Sequence, residues 1–319
     1  MKRKGNLYSK VYDIDNLRLA AKKACKGKSK QRGVVDFKQD SENYLWKLHY
    51  LLRTKQYKTS QYRYFTIKEE KVRDISSLPF FPDRIAHHAV MQIVDPIIIP
   101  TLTADTYNCV PGRGLLKASL ALRKALEDEA NTTHCLKLDV KKFYPSVTND
   151  ILKQLLRRKI KDTDLLWLLD EIIGSHQGLA LGNYPSQNLA NFYLSPLDHY
   201  LKEECQVEYF FRYCDDLVIL HSSKEYLHEL LVKIKIFLKD KLNLIVKSNH
   251  QVFPIESRMI DFLGYPVNHR RVKLRPRIKK RFVRMLNTNK NKASIASYGG
   301  WLKHGDCKHL SKKLLGSCK

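Results

Sequence analysis

The chain has 319 residues, 43% of them hydrophobic and 28% charged, a globular composition sufficient for one large domain or two to three lobes. No stretch nears ~18 uninterrupted apolar residues, which excludes a membrane span, and the basic start MKRKGNLYSK has no apolar run behind it, which argues against a secretory signal. The net charge of +26 sits on the two ends: residues 1–60 hold 16 basic and 5 acidic side chains, residues 270–319 hold 16 and 1, and residues 61–269 hold 26 of each. Two basic flanks around a neutral centre suit a polyanion gripped from both sides, most simply nucleic acid. The seven cysteines (Cys25, Cys109, Cys135, Cys205, Cys214, Cys307 and Cys318) are odd in number and lack C-x-x-C spacing. That pattern fits a reducing cytoplasm and argues against zinc modules or a disulfide framework.

In chain order, residues 1–60 read as helical and basic, with an exposed loop at KACKGKSKQRG and a helix over SENYLWKLHYLLR that Ser41 would cap. QYRYFTI alternates and reads as a strand. RIAHHAVMQIVDPIII reads as a helix ending before Pro96, and GLLKASLALRKALEDEA as a helix led by glycine. HCLKLDV is a short strand, and NDILKQLLRRKI and DTDLLWLLDEII are amphipathic helices. NLANFYLSPLDHYLKEE is a helix behind a turn. VEYFFRYCDDLVILHS is two apolar strand halves around a polar centre, which predicts a β-hairpin. Helix KEYLHELLVKIKIFLKDKL follows, then two short strands through FLGYPV and a basic helical tail. Strands and helices do not alternate regularly, so the fold class expected is α+β. The histidines, His87 and His88 among them, show no metal-binding spacing.

The chemistry concentrates in carboxylates. Asp215 and Asp216 are adjacent acids between FFR and LVIL, at a tight junction inside a half-buried sheet. Like charges there repel and are desolvated, at a cost of several kcal/mol unless cations neutralise them. Asp139 ends another apolar strand just before Phe143 and Tyr144. Two strands that present acids at their ends can converge on two Mg²⁺ ions roughly 3.5–4 Å apart, as in nucleotidyl transfer.

Five blocks in order resemble the reverse transcriptases over roughly residues 61–266. KVRDISSLPFFPDRIAHHAV and TYNCVPGRGLLKA resemble the two fingers blocks. LKLDVKKFYPSV resembles the palm block with the first metal aspartate, YCDD the palm hairpin with the other two, and FLGY the primer-grip element. The block that many of these enzymes write Gln-Gly-x-x-x-Ser-Pro is LGNYPSQ here, with Leu181 in place of glutamine and Gln187 in place of proline. That variant, the YNCVPGRG block and the ending SYGGWLKHGDCKHL look like the enzymes of diversity-generating retroelements, although Leu181 stands where isoleucine is commoner. These enzymes copy a template RNA with frequent errors at adenine, and their cDNA rewrites a variable target gene.

The resemblance implies a right-hand polymerase fold: a basic N-terminal extension over residues 1–60, fingers and palm over 61–266, and a basic thumb over 267–319. It implies catalytic and metal-binding roles for Asp139, Asp215 and Asp216, with the Val140 backbone carbonyl joining them. The ions would be two Mg²⁺, with Mn²⁺ as the alternative. Tyr144 would be the steric gate against a ribose 2′-hydroxyl, and Lys71 and Arg73 would contact the triphosphate. Gly182 would let backbone approach the templating pair, while Leu181 and Gln187 would set fidelity. Lys247 falls in the region where polymerases keep a general acid, and Arg84 is equally readable as structural. The partners implied are template RNA and cDNA, deoxynucleoside triphosphates and a small, basic, oligomeric accessory variability protein, in a bacterial or phage-encoded cytoplasmic setting without membrane. Two alternatives remain open: a retron-like or abortive-infection reverse transcriptase, and a non-catalytic basic RNA-binding scaffold on the same fold.

Overall fold

In the computed structural model, which describes residues 2–68, 72–288 and 291–316, four helices precede the first strand: α1 (Tyr8–Tyr12), α2 (Ile14–Cys25), α3 (Arg32–Gln39) and α4 (Ser41–Arg53). Asp13 starts α2, its Oδ1 accepting from the backbone N–H groups of Asp15 and Asn16 at 3.0 and 3.2 Å. The face that α2 buries is Leu17, Ala20, Ala21 and Ala24, at three- and four-residue spacing. Ser41 is not the cap of α4 but its first helical residue; Asp40 precedes it, with its carboxylate accepting from the Asn43 side chain at 3.0 Å.

The strands β1 (Arg63–Lys68) and β2 (Val72–Ser77) pair antiparallel as a largely exposed hairpin. Helix α5 (Ile85–Ile98) then runs buried on most of its surface, with Pro96 inside it. The helix does not stop before Pro96 as expected. So close to the end the proline removes only one backbone bond, and the buried Ile97 and Ile98 hold the last turn against the core. Next come α6 (Leu115–Ala125), β3 (His134–Asp139), α7 (Phe143–Ser146), α8 (Asn149–Arg157), α9 (Thr163–Gly174) and α10 (Ser186–His199). The hairpin β4 (Tyr209–Tyr213) and β5 (Asp216–His221) leads into α11 (Lys224–Leu242). Three short strands follow instead of two: β6 (Gln251–Pro254), β7 (Ile260–Phe262) and β8 (Tyr265–Val267). The tail is α12 (Pro276–Thr288), α13 (Lys292–Lys303) and α14 (Lys308–Leu315). Among the described residues no helix is long and apolar enough to cross a membrane.

The central sheet has the order β4-β5-β3-β6, antiparallel throughout. Period-two alternation sends Leu136, Leu138, Phe210, Leu217 and Ile219 to one face, where they join one large core with α10, α11 and the N-terminal helices. Cys135, Phe211, Val218 and Leu220 face the other way and pack with Ala118 and Leu122 of α6. Both faces are covered, which is why these strands read as continuous apolar runs rather than as alternating ones. A third cluster of Tyr265, Leu274, Phe282, Leu286, Leu302 and Cys307 ties β8 to the tail helices.

Candidate active site

The tip of the β4–β5 hairpin consists of Cys214 and Asp215, with Tyr213 paired to Asp216 across it. Cys214 takes φ 58°, a left-handed conformation uncommon for a residue with a Cβ. In the β3–β5 register Asp139 stands directly opposite Asp216, and Asp215 precedes Asp216 at the hairpin tip. Burial pushes Asp215 up to about 7, with Asp139 adding to the effect. Burial likewise pushes Asp216 up to about 6, against the opposing influence of Lys137. The Lys137 ammonium lies 3.5 Å from Asp216 Oδ2, and the Lys247 ammonium binds Asp139 Oδ2. Lys247 is thus at the carboxylates, held there by its backbone N–H donating to the Asp139 carbonyl at 2.8 Å. The cavity in front of the three aspartates measures about 480 Å³.

Asp139 Oδ1 and Asp216 Oδ1 are buried without a hydrogen-bond partner. Among the described residues no group of three Asp, Glu, His or Cys side chains is placed to hold a metal ion by itself. Mg²⁺ seldom needs one, because it takes one or two carboxylates and completes its shell with water and substrate phosphate. Orphaned, desolvated carboxylate oxygens are what such a hard cation satisfies, so the pair Asp139 and Asp216 fits a divalent ion. Val140, buried and bridged to Val246, lies beside them.

A residue that sequence reasoning passed over holds this hairpin. Arg212 is fully buried, and its guanidinium forms a two-pronged ion pair with the equally buried Asp198 of α10. It also donates to Asn191 Oδ1 at 3.2 Å, Thr106 Oγ1 at 3.1 Å and the Cys214 carbonyl at 3.1 Å. The last bond grips the strained residue immediately before Asp215. An arginine inside an apolar strand, where lone cations are rarely buried, was the available signal.

Tyr144, Leu181, Gly182 and Gln187 line one cavity of about 450 Å³. The Tyr144 hydroxyl accepts from Cys214 Sγ at 3.5 Å, which ties this cavity wall to the hairpin tip. The Leu181 carbonyl accepts from the Ser76 N–H of β2 at 2.9 Å. Gly182 has φ 119°, and a Cβ there would stand 3.0 Å from both Ile75 Cγ2 and Ser76 O. The close approach that Gly182 permits is therefore to β2. Gln187 Oε1 accepts from Cys109 Sγ at 2.8 Å. Ser186 does not cap α10; its hydroxyl donates to the Ala180 carbonyl at 2.6 Å. Arg73 is exposed on β2 and lines neither cavity. Lys71 lies outside the described residues.

A third cavity, of about 500 Å³, brings Asp216 together with Arg275, Arg277 and Arg281 of the tail. Arg275 is anchored by Asp261 Oδ1 at 2.7 Å. The FLGY glycine, Gly264, has φ 90°, and a Cβ there would fall 2.7 Å from Trp301, so it lets the β7–β8 turn nest under α13.

No curated protein matches the chain in sequence. Among solved structures it is similar to telomerase from Candida albicans in complex with a TWJ fragment of telomeric RNA. That alignment has a TM-score of 0.53 at 12% identity and covers 78% of this chain and 56% of that one. Apo telomerase from Candida tropicalis aligns with a TM-score of 0.52 at 14% identity, over 75% of this chain and 53% of that one. The chain thus spans little more than half the length of these telomerases, and the likeness is one of fold: the right-hand polymerase arrangement. The model of the reverse transcriptase (RNA-dependent DNA polymerase) family matches residues 58–267, and with two thirds of its length inside that match, the chain belongs to the reverse transcriptase family.

Proposed function

We propose that the chain is an RNA-directed DNA polymerase that copies a template RNA into cDNA, and that it is of the diversity-generating type. The observation that carries the polymerase reading is the carboxylate cavity at the hairpin tip, with Cys214 of that tip bonded to Tyr144, which lines a second cavity together with Gly182 and Gln187. Residues 61–266 serve as fingers and palm and 267–319 as a basic thumb, with 1–60 a basic N-terminal segment. Asp139, Asp215 and Asp216 hold the divalent ions, which when bound lower the pKa of the attacking hydroxyl and neutralise phosphate charge. Tyr144 presents its ring to the sugar of the incoming nucleotide and excludes a 2′-hydroxyl. Arg275, Arg277 and Arg281, sharing a cavity with Asp216, hold the primer strand by its phosphates.

The finer reading rests on Leu181 and Gln187, which line the cavity that holds Tyr144. An apolar side chain at Leu181 offers no hydrogen bond to a base pair. One such bond is worth about 1 kcal/mol, several-fold in discrimination. In this reading a basic oligomeric accessory protein and a structured template RNA complete the system. The test is magnesium-dependent primer extension on a defined RNA, followed by sequencing of the cDNA. Asp215→Asn with Asp216→Asn should lower incorporation by about three orders of magnitude or more while RNA binding persists. Wild-type errors should cluster opposite template adenines in the presence of the accessory protein, and Leu181→Gln should reduce them. Errors spread evenly over the four bases would leave the general polymerase and remove the diversity-generating type. Full extension by the double variant would remove the polymerase assignment.

A further inference from the structure

The cavity that contains Tyr144, Gly182 and Gln187 is also lined by Lys28 and Arg84. Lys28 belongs to the run Lys22, Lys23, Lys26, Lys28, Lys30 and Arg32, read from sequence as an exposed loop. Five of the six are exposed, and Lys28 is drawn in to half-burial. A tight turn does this: the Lys28 N–H donates to the Cys25 carbonyl and the Gln31 N–H to the Lys28 carbonyl, both at 3.0 Å. Arg84 is the half-buried residue at the start of α5.

Neither cation is matched by an anion. Asp83, next to Arg84, is fully buried and turned away, its Oδ1 accepting from the Tyr57 hydroxyl at 2.8 Å and the Ser60 N–H at 3.1 Å. Asp95, the carboxylate among the lining residues, accepts from the Asn188 side chain at 2.8 Å. No hydrogen bond or ion pair among the described residues takes the Lys28 ammonium or the Arg84 guanidinium. Burial lowers the proton affinity of both, and Arg84 lowers that of Lys28 further. Two like charges in a partly dry cavity are unfavourable until an anion joins them, and an ammonium beside a guanidinium is a phosphate-binding pair. The same cavity holds the His88–Tyr184 stack, with centroids 3.7 Å apart, and Tyr184 is 42% exposed as a residue. An exposed ring of this kind is a platform for an unpaired base.

We propose that Lys28 and Arg84 bind a phosphodiester of the single-stranded template just ahead of the templating base, with Tyr184 stacking the unpaired base beside it. The site rests on the polymerase reading above. The two sources of phosphate are the template backbone and the nucleotide triphosphate. The aspartates that must meet the triphosphate line another cavity, and the exposed Tyr184 beside Lys28 and Arg84 favours an unpaired template base; because Tyr144 shares the cavity with Lys28 and Arg84, the triphosphate is the alternative that the experiment must separate.

The experiment is equilibrium binding, without metal or nucleotide, of a primer–template duplex carrying a 5′ single-stranded template extension, against the same duplex ended flush. The wild type should prefer the extended duplex. Arg84→Gln and Lys28→Gln should each cut that preference by about tenfold, the lower end for hydrogen bonds to charged groups. Together they should lower the slope of log K against log salt by about 0.7, the value for one single-strand phosphate contact. Arg84→Lys should retain part of the preference, and affinity for the flush duplex should hold. Tyr184→Ala, which removes no charge, should weaken extended-duplex binding without altering the slope. An undiminished preference in the double variant overturns the site. A raised KM for deoxynucleotide with the preference intact also overturns it, because the phosphate would then be the triphosphate. A structural role would lower the melting temperature and weaken both duplexes alike, and that result overturns it too. Since wild-type primer extension is measured separately, loss of this site leaves the polymerase reading standing.

Discussion

Arg212 offers the sharpest test of how the fold serves the site. Arg212→Met removes one partner of a fully buried pair and leaves the Asp198 carboxylate uncompensated among Thr106 and Asn191. Breaking such a pair costs about 3–5 kcal/mol, a large share of the 5–15 kcal/mol that holds a typical domain. Replacing both partners, as Arg212→Met with Asp198→Leu, removes the stranded charge and should recover most of that stability. It does not restore the bond to the Cys214 carbonyl, so the left-handed residue before Asp215 loses its restraint. A shift of about 1 Å in a catalytic group can cost on the order of 10²-fold in rate. The double variant should therefore be nearly as stable as wild type yet about a hundredfold slower. Denaturant unfolding and single-turnover nucleotide incorporation at saturating template measure the two quantities separately. If the double variant recovers both, Arg212 is only a structural ion pair. If Arg212→Met loses less than about 0.5 kcal/mol, a surface-like value, the buried network is not what holds the hairpin.

Tyr144→Ala should admit ribonucleotides while preserving deoxynucleotide use, and an unchanged ratio of the two in competition assays would move the gate elsewhere. Neutralising Arg277, Lys279, Lys280 and Arg281 should lower the salt slope of duplex binding by several units at roughly 0.7–0.9 per contact; an unaltered slope would turn α12 away from the nucleic acid. Burial holds His87 down to about 3, so the unfolded chain takes that proton first, and this residue costs about 1.4 kcal/mol of stability per pH unit as pH falls from about 6.5 toward 3. Asp95, Asp215 and Asp216, all raised by burial, act in the opposite sense because the native state protonates them first. Subtracting the unfolding free energies of His87→Leu from those of wild type at each pH isolates the histidine, and a difference independent of pH would contradict its burial in the neutral form.

The hairpin of Asp215 and Asp216 was legible because its flanks, Arg212 apart, are apolar, and both faces of the sheet are covered. Asp139 was legible for the same reason, as an acid ending a buried strand. Local pattern was silent on what crosses the chain. Arg212 finds Asp198 on another helix, and nothing near either residue announces the pairing. Lys28 is indistinguishable by composition from its exposed neighbours, and only the turn between α2 and α3 separates it from them. Pro96 was misread because a rule for helix interiors was applied where the last turn is secured by buried isoleucines. Ser41 was misjudged by one position, within the usual ambiguity of helix ends.

The β1–β2 hairpin has a consequence for motion. Every residue of β1 is exposed, and a two-stranded ribbon without a core is only marginally stable in water. Its amide protons should exchange orders of magnitude faster than those of β3 and β5, which lie in the middle of a covered sheet. The Ser76–Leu181 bond makes the opening of this ribbon and the placement of the Leu181–Gln187 segment one equilibrium. Whatever clamps the ribbon must by linkage also stiffen the Leu181–Gln187 segment, so the order of that cavity wall would depend on the occupancy of an exposed ribbon outside it.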